Sequence, residues 1–120
     1  NDIRREVSAA GLIAGMRDIA DRVRAQGVSI IGTTIIPRHN RPARGTNSGW
    51  TPAKTRIRRE VNDWIRGGGA FDGVIDFDAI VRDPADPDRI AAAFDCDGIH
   101  PNPRGYFEMG GSVALELFTP

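Results

Sequence analysis

The chain has 120 residues, which is the size of a single domain. Its 16 basic and 16 acidic side chains cancel, so no global charge favours nucleic acid or an anionic membrane as a partner. Apolar residues make up 40% of the chain, which excludes a disordered chain, and no apolar run approaches the ~20 residues of a membrane span. Cys96 is the single cysteine, so an internal disulfide is excluded.

The first half of the chain predicts a helix, a strand and a long loop. Apolar residues recur every three or four positions over residues 5–26, as on one face of a helix. The next segment, 28-VSIIGTTII-36, is rich in β-branched residues and typical of a strand covered on both faces, as in a parallel sheet. Residues 37–50 contain Pro, Gly and basic residues without periodicity, which predicts a loop.

The second half predicts two further helices around a short strand. Thr51 and Pro52 form an N-cap and first-turn pair for a helix that reaches Arg66, with basic side chains, Arg58 among them, on an exposed face. A short strand is predicted over 73–78 and a short helix from 87 or 88 to 93. Asn102 is then the expected cap of a last helix over 103–118.

This order of elements predicts an α/β fold with parallel strands joined by crossovers. Two strands are fewer than the four to six of a typical sheet, which helices could cover on both faces. We therefore expect residues 1–120 to form the carboxyl-terminal portion of one larger α/β domain. Either a missing N-terminal segment or a second copy of the chain would then complete the sheet.

The stretch 95-DCDGIHPNPRGY-106 carries the strongest signal for chemistry. Asp97 precedes His100 by three residues, and the intervening Gly98 permits a tight turn that brings the carboxylate to the imidazole ring. A carboxylate that accepts the Nδ1 proton fixes the tautomer of a histidine base and steadies the imidazolium. The turn follows the last predicted strand, and sites in open α/β sheets gather at the carboxyl ends of strands.

Other interpretations of these residues stay open at this point. Asp and Asn before a helix are often only caps, and Asp95, Asp97 and His100 could also ligate a metal. No second cluster would complete such a site, so no metal is predicted. His39 lies in a basic loop that could contact an acidic or sugar substrate, and it is a second candidate base without an acid near it in sequence. Trp50 could stack on a sugar ring or pack inside the fold.

The block D-G-I-H-P-N-x-x-G-Y, followed by an apolar helix, strongly resembles the last block of the SGNH, or GDSL-type, hydrolases. The resemblance implies a flavodoxin-like three-layer α/β/α fold, esterase or acylhydrolase activity and no cofactor. It also implies that His100 is the base and Asp97 the orienting acid of a Ser-His-Asp triad. The opening Asn1-Asp2-Ile3 resembles the Gly-x-Asn-Asp block of the family, so Asn1 is the expected oxyanion donor.

The middle of the chain refines this resemblance. VNDWIR at 61–66 and FDGVIDFDAIVRDP at 71–84 are similar to a bacterial branch that includes carbohydrate-acetyl esterases. The resemblance therefore implies a short acyl or carbohydrate acetyl ester as substrate, with Trp50 and His39 as candidate contacts. The compartment stays open, a secreted or periplasmic bacterial protein being one alternative.

The serine of the triad is not identified in the sequence. No Gly-Asp-Ser motif is present, and Ser48, the only serine in a predicted loop, lacks the strand–turn–helix context of a nucleophile elbow. We expect the nucleophile to lie outside these 120 residues. The alternative from another class is a non-catalytic α/β module that associates with another chain through an open sheet edge.

Overall fold

The computed structural model describes residues 1–40, 49–68 and 70–118. Within these ranges, helices and strands follow in the order α1 (Ala9–Arg24), β1 (Ile31–Thr33), α2 (Pro52–Gly67), β2 (Gly73–Ile75), α3 (Phe77–Val81) and α4 (Pro103–Gly111), with a short 3-10 helix at Leu115–Phe118. The two strands pair in parallel, so the predicted α/β class with two parallel strands and flanking helices is confirmed.

The strand β1 is shorter than the predicted 28–36. It pairs with β2 only from Ile31, opposite Gly73, to Thr33, opposite Ile75. Before the strand, the predicted burial of the segment is wrong, because Ser29 is exposed and the side chain of Val28 is 55% exposed. After the strand, Thr34 N still donates to Ile75 O at 3.2 Å, and the strand pairing stops there because β2 is itself only three residues long.

The second strand ends where a capping residue begins a helix. The Asp76 carboxylate accepts a hydrogen bond from Ala79 N and starts α3, so the predicted strand over 73–78 is too long. The predicted helix over 87–93 is wrong, because this stretch forms turns and an isolated antiparallel bridge between Arg82 and Ile90. Asp86 contributes an Asx-type contact there by accepting from Asp88 N at 3.2 Å.

The bounds of the outer helices follow from their caps. Ser8 Oγ accepts a hydrogen bond from Gly11 N at 3.1 Å, so α1 begins at Ala9 rather than at residue 5. At the other end of the chain, α4 stops at Gly111 rather than at 118, because helix propensity falls at Gly110-Gly111 and the Ser112 hydroxyl donates to Met109 O. Tyr106, on this helix, is 54% exposed.

The core lies between α1, α2 and the sheet. Val61 and Ile65 of α2 are fully buried against Ala9 of α1. Partly buried apolar side chains complete this cluster: Leu12, Ile13, Met16, Ile35, Ile57, Trp64, Phe71 and Val74. Burying each large aliphatic side chain contributes roughly 1.5–3 kcal/mol, so this cluster fixes α1 and α2 on the strands.

A buried ionic network fixes α2 to the second half of the chain. Arg58, predicted on an exposed face, is only 2% exposed and contacts the carboxylates of Asp78 and Asp88. Asp78 also accepts from Arg66 Nη2 at 2.6 Å. A buried guanidinium is costly unless carboxylates compensate its charge. The predicted exposure of Arg58 was wrong because these carboxylates are distant from it in sequence. No helix within the described residues is long and apolar enough to cross a membrane.

Candidate active site

A tight turn over residues 95–101 connects the second half of the fold to α4. Its base is closed by an isolated bridge between Asp95 and Pro101 and by a hydrogen bond from Cys96 N to His100 O at 3.0 Å. Gly98 lies at the tip with a φ of 85°, a left-handed backbone conformation that glycine adopts without strain. The turn therefore has a fixed backbone from which the side chains of Asp97 and His100 project.

The helix α4 holds this turn from behind. Asn102 caps the helix by accepting from Gly105 N at 3.0 Å, and its amide donates to Ala93 O at 2.9 Å on the other side of the turn. A Cβ on Gly105 would lie 2.8 Å from Pro101 Cβ, so only glycine lets the helix approach this closely. The Asn and Gly of the closing sequence block thus have a structural explanation as the anchor of the turn.

Asp97 and His100 are in direct contact. His100 Nδ1 lies 2.9 Å from Asp97 Oδ2, and the other carboxylate oxygen accepts from the backbone N–H groups of Ile99 and His100 at 2.9 and 2.8 Å. The contact that the three-residue spacing predicts is present. Sequence-local hydrogen bonds hold the carboxylate on two sides, so its orientation toward the ring does not depend on distant parts of the fold.

The electrostatics of the pair define the proton positions. The side-chain hydrogen bond to His100, helped by the backbone N–H groups, lowers the pKa of Asp97 to about 2, so the carboxylate is ionised at neutral pH. An ionised carboxylate accepts, so the Nδ1 atom of His100 carries the proton in this contact. The side chain of His100 is 62% exposed, and its Nε2 is the nitrogen left to exchange protons with a substrate or a hydroxyl.

A cavity of about 400 Å³ brings three of the predicted site residues together. Asn1, Trp50 and His100 line it from different parts of the chain. The remaining wall is largely apolar: Ile3, Leu12, Ile35, Ile36, Pro37 and Ile99, with Asp2 and Arg38. An ionisable histidine beside an apolar recess matches the usual composition of a small-molecule site, in which a few polar groups orient a mainly apolar ligand.

His39 lies on a neighbouring cavity instead. This second cavity, of about 510 Å³, shares Arg38 and Trp50 with the first but does not include His100. No acid lies near His39 in sequence, but in the fold its Nε2 lies 3.5 Å from Asp95 Oδ2. The 56 positions that separate these residues hid the contact, and no pattern in the sequence indicates it.

The described serines lie away from the cavity of His100. Ser8 Oγ caps α1, Ser112 Oγ donates to the backbone at the end of α4, and Ser29 is exposed before β1. Ser48 lies outside the described residues. Over residues 1–40, 49–68 and 70–118, no group of three or more His, Cys, Asp and Glu side chains could hold a metal ion.

The fold and the site define an α/β protein with an exposed histidine–aspartate pair beside an apolar cavity at the end of its sheet. The model of the GDSL-like lipase/acylhydrolase family matches residues 1–106. The chain therefore belongs to this family, and membership supports ester hydrolysis as its general activity. Comparison with curated proteins gives no match.

Proposed function

We propose that this chain carries the histidine and aspartate of a Ser-His-Asp triad that hydrolyses short-chain acyl or carbohydrate acetyl esters. His100 is the general base, Asp97 its orienting acid and Asn1 the oxyanion donor. The observation that supports this assignment best is the 2.9 Å contact between His100 Nδ1 and Asp97 Oδ2, beside the cavity that His100 lines together with Asn1 and Trp50. A protonated Nδ1 leaves Nε2 with its lone pair available to a serine hydroxyl.

The proposed reaction proceeds in two steps. The serine oxygen attacks the ester carbonyl while His100 Nε2 takes the hydroxyl proton, and the alcohol leaves with that proton as the C–O bond breaks. Water then attacks the acyl-enzyme, His100 takes one proton from it, and the carboxylic acid is released as the serine regains its proton. In both steps the Asn1 amide donates to the carbonyl oxygen, which carries the developing negative charge.

The cavity favours a small ester. Its volume of about 400 Å³ and its aliphatic wall suit a short acyl chain better than a long one. Trp50 is the candidate platform for a sugar ring on the alcohol side. The Arg38 guanidinium lies 5.4 Å from the centre of the Trp50 ring and covers one of its faces, so a sugar would stack on the other face.

The serine is proposed to come from outside these 120 residues. The described serines have the positions given above, and none of them lines the cavity of His100. A Gly-Asp-Ser segment on the same polypeptide or on a companion chain would supply both the nucleophile and further strands. The two described strands, each three residues long, support such completion because a wider sheet is needed to seat helices on both faces.

The experiment is an ester hydrolysis assay on a preparation that contains such a Gly-Asp-Ser segment. We expect turnover of p-nitrophenyl acetate, and a loss on the order of 10⁶-fold in kcat for His100→Ala. Glu108→Gln, on the exposed side of α4, is the matched control and should leave kcat unchanged. Full activity in His100→Ala would defeat the assignment.

A non-catalytic module that pairs with another chain is the second candidate. The short parallel pair β1–β2 favours it, because unpaired strand edges recruit further strands. Sedimentation of the 120-residue chain and labelling with a serine-directed fluorophosphonate separate the two. Oligomers without turnover or labelling, even with the Gly-Asp-Ser segment supplied, would favour the module over the esterase.

A further inference from the structure

A second histidine–aspartate pair lies directly behind the turn that carries His100. The His39 Nε2 atom lies 3.5 Å from Asp95 Oδ2, and the two side chains are only 13% and 6% exposed. His39 belongs to the segment after β1, whereas Asp95 is the first residue of the turn 95–101. The pair therefore connects two segments that are distant in sequence.

Both residues are also bonded to the tip of the turn. Asp95 Oδ1 accepts from Gly98 N at 2.7 Å, and Gly98 O accepts from His39 N at 2.9 Å. Together with the 3.5 Å contact of the two side chains, these bonds form a closed ring through His39, Asp95 and Gly98. Neither backbone group of Gly98 can move without breaking a bond in this ring.

We propose that Asp95 and His39 are positioning residues for the general base, with Asp95 fixing Gly98 and His39 orienting Asp95. This proposal rests on the proposed function of His100. Asp97 and His100 flank Gly98 in the turn, so the direction of their side chains depends on the backbone that the ring fixes.

The ring also determines the distance from the base to the substrate wall. Ile36, Pro37 and Arg38 precede His39 and line the same cavity as His100. A bond from His39 N to Gly98 O thus sets the spacing between this wall and the turn. Displacing a reacting group by about 1 Å costs on the order of 10²-fold in rate, so a loosened turn should slow the chemical step.

The same geometry explains why the buried pair is not itself the base. His39 is largely buried, its Nε2 faces the Asp95 carboxylate, and it lines a cavity that does not include His100. An imidazole so placed has no route to the carbonyl held beside His100. Its Nε2 instead lies 3.5 Å from a carboxylate whose side chain is only 6% exposed, so the imidazole covers Asp95 and limits the positions that the carboxylate can adopt.

The test compares Asp95→Ala with Asp95→Asn. The alanine variant loses the acceptor for Gly98 N, whereas asparagine retains an oxygen at that position. We expect kcat of the active preparation to fall about 10²-fold in Asp95→Ala with KM within about twofold, and Asp95→Asn to recover most of the loss.

A second readout needs no activity and uses the 120-residue chain itself. The carboxyl carbon shift of Asp97 against pH reports its pKa, which is about 2 while the turn supplies its hydrogen bonds. We expect this midpoint to rise toward its ordinary value of 3.8 in Asp95→Ala and to stay low in Asp95→Asn. The matched control is Asp72→Ala, which removes another carboxylate that accepts a backbone N–H, from Ile30 at 2.8 Å, far along the sequence from the turn.

The outcomes separate this proposal from the proposed function. An Asp95→Ala variant with parent kcat and an unmoved Asp97 midpoint overturns the positioning role. A loss of kcat that only follows the folded fraction, matched by Asp72→Ala, also overturns it. If instead His100→Ala keeps its activity while Asp95→Ala still shifts the Asp97 midpoint, the proposed function fails and the ring remains as the device that orders the turn.

Discussion

Two histidine–aspartate pairs meet at one turn, and the same two residue types have different surroundings in each pair. In the outer pair, His100 is 62% exposed and lies 2.9 Å from a carboxylate three residues earlier. In the inner pair, His39 is 13% exposed and lies 3.5 Å from Asp95, which is 56 residues later. A histidine can exchange protons with a ligand only where one ring nitrogen is accessible. Both histidines have an acid beside them, so the greater exposure of His100 is what makes it, and not His39, the candidate base.

The two carboxylates differ in the same sense. Asp97 takes its hydrogen bonds from within its own turn, at Ile99 and His100. Asp95 takes one from the turn tip and faces a side chain from another segment. The outer pair is thus a local motif, whereas the inner pair is a tertiary contact that ties the motif to the fold.

Asp97→Asn breaks the outer pair while both side chains stay in place. The amide can still accept from the backbone N–H groups, but its NH₂ group would favour the tautomer in which Nδ1 of His100 accepts. The proton then moves to Nε2, and the base is lost. We expect kcat to fall about 10⁴-fold in the ester hydrolysis assay, and parent activity would mean that Asp97 does not orient His100.

Asn1→Ala tests whether the cavity distinguishes the two pairs. Asn1 lines the cavity of His100 and is not among the described residues that line the cavity of His39. Removing one oxyanion donor costs about 10²–10³-fold in kcat, and we expect that loss here with KM little changed. Asp2→Asn, on the same cavity wall, is the control, and an equal loss in both variants would argue against a specific donor.

His39→Ala and His100→Ala should have opposite rankings in stability and in activity. His39→Ala removes the buried imidazole whose Nε2 lies 3.5 Å from the buried Asp95 carboxylate, so we expect a loss of about 1–3 kcal/mol in the free energy of unfolding. His100→Ala removes an exposed ring and should change stability by less than about 0.5 kcal/mol. Urea unfolding measures both, and a larger loss for His100→Ala would contradict the comparison.

The difference between local and tertiary contacts also decides what the sequence could predict. The Asp97–His100 pair, the cap at Asn102 and the helix start at Pro52 depend on neighbours within a few residues, and their patterns are visible in the printed sequence. The α/β class was predictable for the same reason, because helical periodicity and a β-branched run are local signals. These features required no knowledge of how the chain folds back on itself.

Several of the wrong predictions concern contacts between distant segments. The sequence predicts an exposed face for Arg58 because Asp78 and Asp88, its partners, lie 20 and 30 residues away. The extent of β1 was too long because strand length depends on the partner strand, which β2 limits to three residues. The sequence does not indicate the contact of His39 with Asp95 for the same reason, because the two residues are 56 positions apart.

The smallest expected effect is a change in how steeply the stability of the folded chain falls at acid pH. The pKa of Asp97 is lowered from 3.8 to about 2 by its hydrogen bonds, so its stabilising contribution is present above pH 3.8 and is lost as pH falls through about 2. Asp97→Asn has no carboxyl group at this position to titrate, so its melting temperature should decrease less than that of the parent over this pH range. Asp76, whose pKa is also about 2 because of its bond to Arg66, supplies a second carboxylate with the same behaviour, and Asp76→Asn should make this decrease less steep in the same way. If the melting temperature falls equally steeply with pH in the parent and in Asp97→Asn, the contact with His100 does not lower the pKa of Asp97 in the folded chain.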